Sequence, residues 1–155
     1  MAANAISRQV IREEIASRAT TALTAGAGPF QTIYSDNRRT WKGESPVLVI
    51  LSEGTAREPL GMGNIQYWNR MRFSFLIFVL EADEKDANWT EANVEDKVDE
   101  CEKEVSDFIM DNRQAVGFWL NLLPDGDFSA ILPATVGGES YRMEIVTVIA
   151  EVADA

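Results

Sequence analysis

Residues 70–82 read RMRFSFLIFVLEA, and this stretch determines what kind of fold the chain can form. As far as Phe75, apolar and polar side chains alternate, which is typical of a strand with one face in contact with solvent. From Phe75 to Leu80 every residue is apolar. Leu76 and Phe78 then point to the face opposite Phe75, so both faces of the strand need cover. One layer of helices would bury only one of them.

Length and composition fit a single domain over residues 1–155. A chain of this size buries roughly two-thirds of the surface that its unfolded form exposes, which is enough for one core. The apolar run at 73–80 is too short for a bilayer-crossing helix, which needs about 20 residues. Arg8 and Arg12 interrupt the start of the chain, unlike the apolar core of a secretory signal. We therefore expect no membrane span and synthesis in the cytoplasm.

The formal net charge is −11 at pH 7, and the acidic residues concentrate in 81–107 and at the end of the chain. A potential of this sign repels phosphate backbones, which argues against tight binding of nucleic acid. Many of the basic residues lie between 30 and 80. Opposite charges at two edges of one molecule favour head-to-tail contacts between copies, which can close a ring. Solvated surface charge is the alternative.

Two segments carry the apolar spacing of an amphipathic helix. Residues 4–24 form the first, and the glycines and proline of TAGAGP at 24–29 end it. The second begins after an acidic connection, with Thr90 as its expected N-cap, and runs to about Arg113. Its apolar positions step by four and three residues. This stripe suits a helix lying across a sheet, and a short coiled-coil seam is the alternative.

Six segments have strand character. A continuous run of Val, Leu and Ile at 46–54 indicates a central strand that is covered on both sides. Residues 53–66 contain three glycines and a proline without apolar periodicity, which predicts a long loop, either a contact arm or an idle surface loop. The predicted strands are 29–36, 46–54, 70–81, 116–124, 128–135 and 141–152.

The order of these elements predicts an α+β fold of two layers. We expect a largely antiparallel or mixed sheet of four to six strands, because most connections are hairpin-like. The N-terminal helix and the long central helix should lie together on one face. The other face then stays apolar around Leu76, Phe78 and Leu80, and no third layer is evident within the chain. This predicts burial against another subunit.

No pattern in the chain indicates catalysis. Histidine is absent, which removes the commonest general base near neutral pH and all nucleophile systems that depend on it. Cys101 is the only cysteine; it falls on the apolar stripe of the second helix and is expected to be a small buried hydrophobe. We therefore expect a protein that is not an enzyme and that holds no cofactor and no metal.

The candidate site is instead an interface. Trp41 and Trp68 lie beside the basic stretch, and exposed aromatic residues flanked by arginines are typical anchors of protein contacts. The apolar residues of the uncovered sheet face and the long loop complete the set. The candidate interface residues are Arg38, Arg39, Trp41, Arg57, Met62, Trp68, Arg70, Arg72, Leu76 and Phe78.

Taken nearly end to end, the chain resembles the tail terminator family of long-tailed bacteriophages, which includes the lambda minor tail protein U. The resemblance is one of element order, size and strand character. The segments that carry it are AISRQVIREEIASRATTAL, PVLVIL, RMRFSFLIFVLEAD, ANVEDKVDECEKEVSDFI and YRMEIVTVIAEV.

The resemblance implies a structural virion protein. Members of the family form a hexameric ring that caps the tail tube, ends its growth and provides the surface to which the neck or head docks. The implied partners are further copies of the chain, the tail tube protein and a neck or head-completion protein. Phage DNA would pass through the lumen without specific binding, which suits an acidic protein. The 53–66 loop matches no element of the family.

Three alternative interpretations stay open. The first is another ring protein of the phage neck, such as a head-closure or tail-completion protein. The second is of a different class, a small α+β ligand-binding protein or enzyme with a pocket beneath the 94–110 helix. A third use of the fold, pairing of the 70–81 edge with a foreign strand, would make the protein an adaptor.

Overall fold

The computed structural model describes most of the chain, and all that follows refers to those residues. Within them the chain forms two helices and six strands. The described residues are 6–24, 26–37, 41, 43–59, 67–81, 93–126 and 129–153. The elements are α1 (Arg8–Leu23), β1 (Thr32–Tyr34), β2 (Val47–Pro59), β3 (Tyr67–Leu80), α2 (Val94–Asp111), β4 (Asn121–Pro124), β5 (Ala130–Val136) and β6 (Glu139–Ala153).

The six strands form one mixed sheet, which confirms the predicted α+β fold. Its order is β1-β2-β3-β6-β4, and β5 pairs with β6 on the same side as β4. All pairs are antiparallel except β1 with β2, which is parallel. The expectation of hairpin pairing is therefore wrong at β1. Residues 35–46 separate these two strands, and a parallel return needs a connection of about a dozen residues.

Both helices lie over the sheet, as predicted. In α1 the residues at four-residue intervals, Ile11, Ile15 and Ala19, are buried, and Ser7 caps the helix by accepting a hydrogen bond from the Gln9 N–H at 3.2 Å. α1 packs on β1 and β2, whereas α2 packs on β3, β4 and β6. The two helices therefore lie side by side, each covering one half of the sheet.

The two helix starts differ from the predictions. α1 begins at Arg8, and the predicted first residues, 4 and 5, lie outside the described residues. α2 begins at Val94 with Asn93 at the N-cap position, three residues after the predicted N-cap. Thr90 itself lies outside the described residues.

β2 is longer than predicted and takes up half of the expected 53–66 loop. It pairs with β3 as far as Pro59, and an irregularity in register between Ser52 and Gly54 adds Glu53 as an extra residue. Such a bulge bends a strand and lets the pairing continue. The bulge breaks the alternation of side chains, which is why the sequence pattern suggested a loop. Residues 60–66 lie outside the described residues.

The predicted strand at 116–124 is mostly a tight turn. Ala115 and Trp119 exchange two backbone hydrogen bonds, each 3.0 Å long, around Gly117. Gly117 has a φ of 85°, which a residue with a side chain rarely adopts. Only Asn121–Pro124 pairs with β6. The strands predicted at 128–135 and 141–152 are confirmed with small shifts as β5 and β6.

The helix-facing side of β3 forms the centre of the core. Its odd-numbered residues from Met71 to Val79 have no exposed surface. The Phe75 ring meets Phe108 of α2, with ring centres 6.5 Å apart. Cys101 is buried in the same layer, as predicted. This side of the sheet is closed by the chain alone.

The second side of β3 is closed at one end by a tryptophan of the same chain. Trp41 is 2% exposed, and its ring centre lies 4.2 Å from that of Phe78 and 5.1 Å from that of Tyr141. The Tyr141 hydroxyl donates to the Glu44 carbonyl at 3.2 Å. The expectation that Phe78 needs another subunit for cover is therefore wrong. Leu76, the next residue of β3 on the same face, is only half-buried.

We predict that Trp41→Ala lowers the free energy of unfolding by about 3 to 5 kcal/mol, because truncating a buried aromatic side chain leaves a cavity over Phe78 and Tyr141. Urea unfolding followed by circular dichroism measures this change. Val10→Ala is the matched control, since Val10 is 49% exposed, and it should change stability by about 0.5 kcal/mol or less. Equal losses in the two variants would mean that Trp41 does not hold this end of the sheet.

Candidate interaction surface

The sheet face opposite the helices carries a strip of apolar side chains that the chain covers only in part. Leu76 lies directly across from Ile145, and the next pair along is Phe78 with Met143. The side chains beyond the cover of Trp41 are half-buried, except Leu132, which is 44% exposed. We name these residues the open strip. It consists of Leu51, Leu76, Leu132, Met143 and Ile145.

The same face becomes polar beyond the open strip. Ser74 donates a hydrogen bond to the Glu53 carboxylate, and the Arg72 guanidinium pairs with Asp125 at 2.9 Å. Arg70 is exposed and lies across from Glu151. An open cavity of about 470 Å³ lies at this end, and both arginines line it. Along β3 this face is therefore covered by Trp41 at the Phe78 end, carries the open strip in the middle, and carries Arg72 and Arg70 at the other end.

Glu151 is held in place at the end of this polar region. One carboxylate oxygen accepts from the Trp68 indole N–H at 3.1 Å, and the other accepts from the Asn121 amide at 3.2 Å. These two hydrogen bonds orient the carboxylate opposite Arg70. Trp68 is half-buried, so part of its ring is exposed on the open face.

The structure brings some of the predicted interface residues together and separates others. Trp68, Arg70, Arg72, Leu76 and Phe78 alternate along one strand and share the open face. Trp41 lies over the same face, but the expectation that it is exposed is wrong, because its ring is packed on Phe78. Arg57 lies on the helix side, where it donates to the Asn69 side-chain oxygen at 2.9 Å. The residues of the set that lie outside the described part of the chain are Arg38, Arg39 and Met62.

A basic groove on the helix side escaped the sequence reasoning. Arg8 and Arg12, one helical turn apart at the start of α1, line it together with Arg57 of β2. Arg12 donates to the Ser52 hydroxyl at 2.9 Å. We name this cleft of about 590 Å³ the basic groove. The four-residue spacing of Arg8 and Arg12 could have placed them on one face of the helix. The position of β2 beside that face could not be predicted from the sequence.

A buried carboxylate also escaped the sequence reasoning. Glu144 of β6 is 4% exposed, although it alternates with apolar neighbours like a solvent-facing residue. One oxygen accepts from the Ser129 hydroxyl at 2.9 Å, and the other has no hydrogen-bond partner among the described residues. Burial raises the pKa of this carboxyl, and the nearby negative charges of Glu102 and Asp99 raise it further. The hydrogen bond from Ser129 acts in the opposite direction.

The single cysteine thiol is buried and is a poor nucleophile near neutral pH. Burial raises the pKa of the Cys101 thiol to about 12, so the thiol stays protonated and unreactive. Among the described residues, no group of three or more carboxylate or thiol side chains could hold a metal ion. Neither described helix has both the length and the apolar composition needed to cross a membrane.

A second cavity lies beside the C-terminal half of α2. Its volume is about 390 Å³, and its lining includes Ile109, Met110, Pro124 and Val146. Glu102 and Ser129 contribute polar groups to the lining. Under the ligand-binding alternative, this cavity is the place where a small ligand would bind.

Comparison of the chain with models of protein families finds no match, and comparison with curated proteins finds none either. The functional argument therefore depends on the residues themselves. Among the described residues, three features stand out: the open strip with its arginine end, the basic groove and the cavity beside α2.

We predict that Glu144→Gln stabilises the protein at pH 7 by about 1 kcal/mol, because the substitution removes a buried charge with an unpartnered oxygen. The pKa of Glu144 is higher in the folded than in the unfolded state. The folded wild type therefore binds more protons in the window between these two values, and its stability falls as pH rises through it. Thermal unfolding between pH 4 and 8 should show the two proteins diverging toward higher pH.

Glu58→Gln is the control for this measurement, since Glu58 is exposed on β2. It should run parallel to the wild type at every pH. A Glu144→Gln curve that also runs parallel to the wild type would show that the Glu144 carboxyl does not affect stability.

Proposed function

We propose that the protein is a structural virion component that caps the head-proximal end of a phage tail tube as a hexameric ring. In this role it ends tube growth and offers the surface on which the neck docks. The protein is made in the host cytoplasm and acts in the virion. The observation that carries the proposal is the open strip: the helix-facing side chains of β3 from Met71 to Val79 are fully buried, while the opposite face presents aliphatic side chains that are only half covered.

The open strip supports assembly because partly exposed aliphatic side chains are costly in water. Burying apolar surface releases about 25 cal/mol per Å², so cover by a partner is favourable. Leu76 and Ile145 lie side by side at the centre of this surface, and Arg70 and Arg72 lie at one end of it. An apolar centre with arginines at the rim is the usual composition of a protein contact surface.

The charge of the chain supports the same role. The net charge of −11 suits a ring through whose lumen DNA would pass without sticking. The element order and the α+β fold also agree with the resemblance to tail terminators. The ring's partners would be its own copies, the tail tube protein and a neck or head-completion protein, with no membrane involved.

Two other functions are tested together with this one. Another ring protein of the neck would share the open strip, but it would bind the portal side instead of the tube. The cavity beside α2 favours a function of a different class, a ligand-binding protein or an enzyme, since apolar and polar side chains together line it.

The proposal predicts that the purified protein, mixed with assembling tail tube subunits, binds tube ends and narrows the distribution of tube lengths. Negative-stain electron microscopy measures the lengths and shows whether sixfold rings sit at the ends. Binding to portal rings instead would favour the neck protein. A protein that stays monomeric with tube subunits present would contradict the proposal.

We further predict that Leu76→Arg removes the capping activity, because it places a charge at the centre of the open strip. The variant should remain folded, since this side chain is half exposed. Val116→Arg is the matched control; Val116 is fully exposed in the turn before β4, away from the open strip. Tube lengths measured as above should be uncontrolled with Leu76→Arg and normal with Val116→Arg. Normal lengths with both variants would separate the open strip from the function.

A further inference from the structure

We propose that neighbouring copies meet head to tail, with the acidic outer face of α2 on one copy seated in the basic groove of the next. This inference rests on the ring of the proposed function and identifies the two surfaces that close it. It is carried by the positions of opposite charges over different halves of the sheet.

The basic groove is built to hold carboxylates. Arg8 and Arg12 lie on one side of α1, and Arg57 faces them from β2. The first turn of α1 adds its own partial positive charge, because its N–H groups are not used within the helix. No carboxylate occurs among the described residues that line the groove. The groove is therefore a concentrated positive surface on a protein that is acidic as a whole.

Two of the groove arginines are held in position. Arg12 donates to the Ser52 hydroxyl at 2.9 Å, and Arg57 donates to the Asn69 side chain at 2.9 Å. Asn69 is itself buried and donates to the Val152 carbonyl at 3.0 Å. Because these contacts limit the rotamers of the arginines, less entropy is lost when a partner binds. The Nε atom of Arg12 is buried and has no partner among the described residues.

The outer face of α2 has the complementary charge. The helix carries eight carboxylates and two lysines, a net charge of −6. Its apolar stripe faces the sheet, so the residues opposite that stripe are exposed. Asp96, Asp99 and Glu100 are among them. A helix of this kind presents a row of carboxylates at a spacing that matches arginines one helical turn apart.

The two surfaces lie over different halves of the sheet. The basic groove borders β2, which is an edge strand beyond Val49 because β1 pairs only with its first three residues. α2 lies over the other half of the sheet, on β3, β6 and β4. A contact between two different surfaces is heterologous, and repetition of such a contact closes a ring when the rotation permits.

The same division is visible along the sequence. Residues 1–72 carry a net charge of +3, and residues 73–155 carry −14. The basic groove lies in the first of these halves, and a second copy offers it the strongly acidic second half of the chain. A second copy brings its own acidic helix to the one basic surface identified on the helix side of the described residues.

The test uses one charge reversal on each surface. Arg8→Glu changes the basic groove and leaves folding intact, since a carboxylate in the first turn of a helix is favourable. Asp99→Lys changes the exposed face of α2. Each variant alone should raise the concentration for half-maximal ring formation about tenfold or more, because like charges then face each other. Mass photometry measures the rings, and circular dichroism verifies the fold.

An equimolar mixture of the two variants is the decisive sample. In it, the glutamate introduced by Arg8→Glu on one copy meets the lysine introduced by Asp99→Lys on the next. The other contacts keep the wild-type pair, so rings should form again. Arg113→Glu is the matched control; this arginine is exposed and lies outside the basic groove, and the variant should assemble like the wild type.

The outcomes separate the two proposals. Wild-type rings together with normal assembly of Arg8→Glu and Asp99→Lys would overturn the head-to-tail contact and leave the capping function standing. A wild type that never forms rings, even with tube subunits, would overturn both. If Arg8→Glu loses binding of inorganic phosphate or duplex DNA but still forms rings, the groove serves another anion and the contact is overturned. Should Arg8→Glu fail to fold, Asp99→Lys alone decides, since Asp99 is exposed and circular dichroism verifies the fold of that variant.

Discussion

The structure depends on the position of β3 at the centre of the sheet, where both of its faces are apolar. Its partners on either side, β2 and β6, pair with it along most of its length. The odd-numbered side chains from Met71 to Val79 bury completely under the helices, so α1 and α2 must lie on that face. The even-numbered side chains lie on the opposite face, where neither helix can cover them. The chain covers them at the Phe78 end and leaves Leu76 half covered.

The spacing of apolar residues along the chain predicted the features that depend on neighbouring residues alone. The period of α1 and α2, the strand character of β3 and the burial of Cys101 all follow from the spacing of apolar residues. The cover of Phe78 could not be predicted, because Trp41 lies in a polar segment and reaches the sheet only through the return of the chain between β1 and β2. The extension of β2 was hidden for a different reason, since the bulge after Ser52 shifts the alternation of its side chains.

The candidate site shows the same limit. Sequence reasoning grouped Arg70, Arg72 and Leu76 correctly on one face, since alternation along a strand requires it. It could not place Arg57 beside Arg8, because they are far apart in the chain and meet only where α1 begins above β2. Nor could it find the burial of Glu144, because its position in the alternation matches that of a surface residue. In each case, a contact between distant segments decided the environment.

The arrangement of surfaces gives the proposed ring a consistent geometry. In the proposed ring, contacts through the basic groove and α2 would use surfaces on the helix side of the sheet. The open strip lies on the other side of the sheet and is left uncovered by such contacts. A ring with rotational symmetry would repeat the open strip on every copy in the same orientation to its axis, with arginines at one end of each strip. The lateral contact would thus leave the open strip available for the capping that we propose.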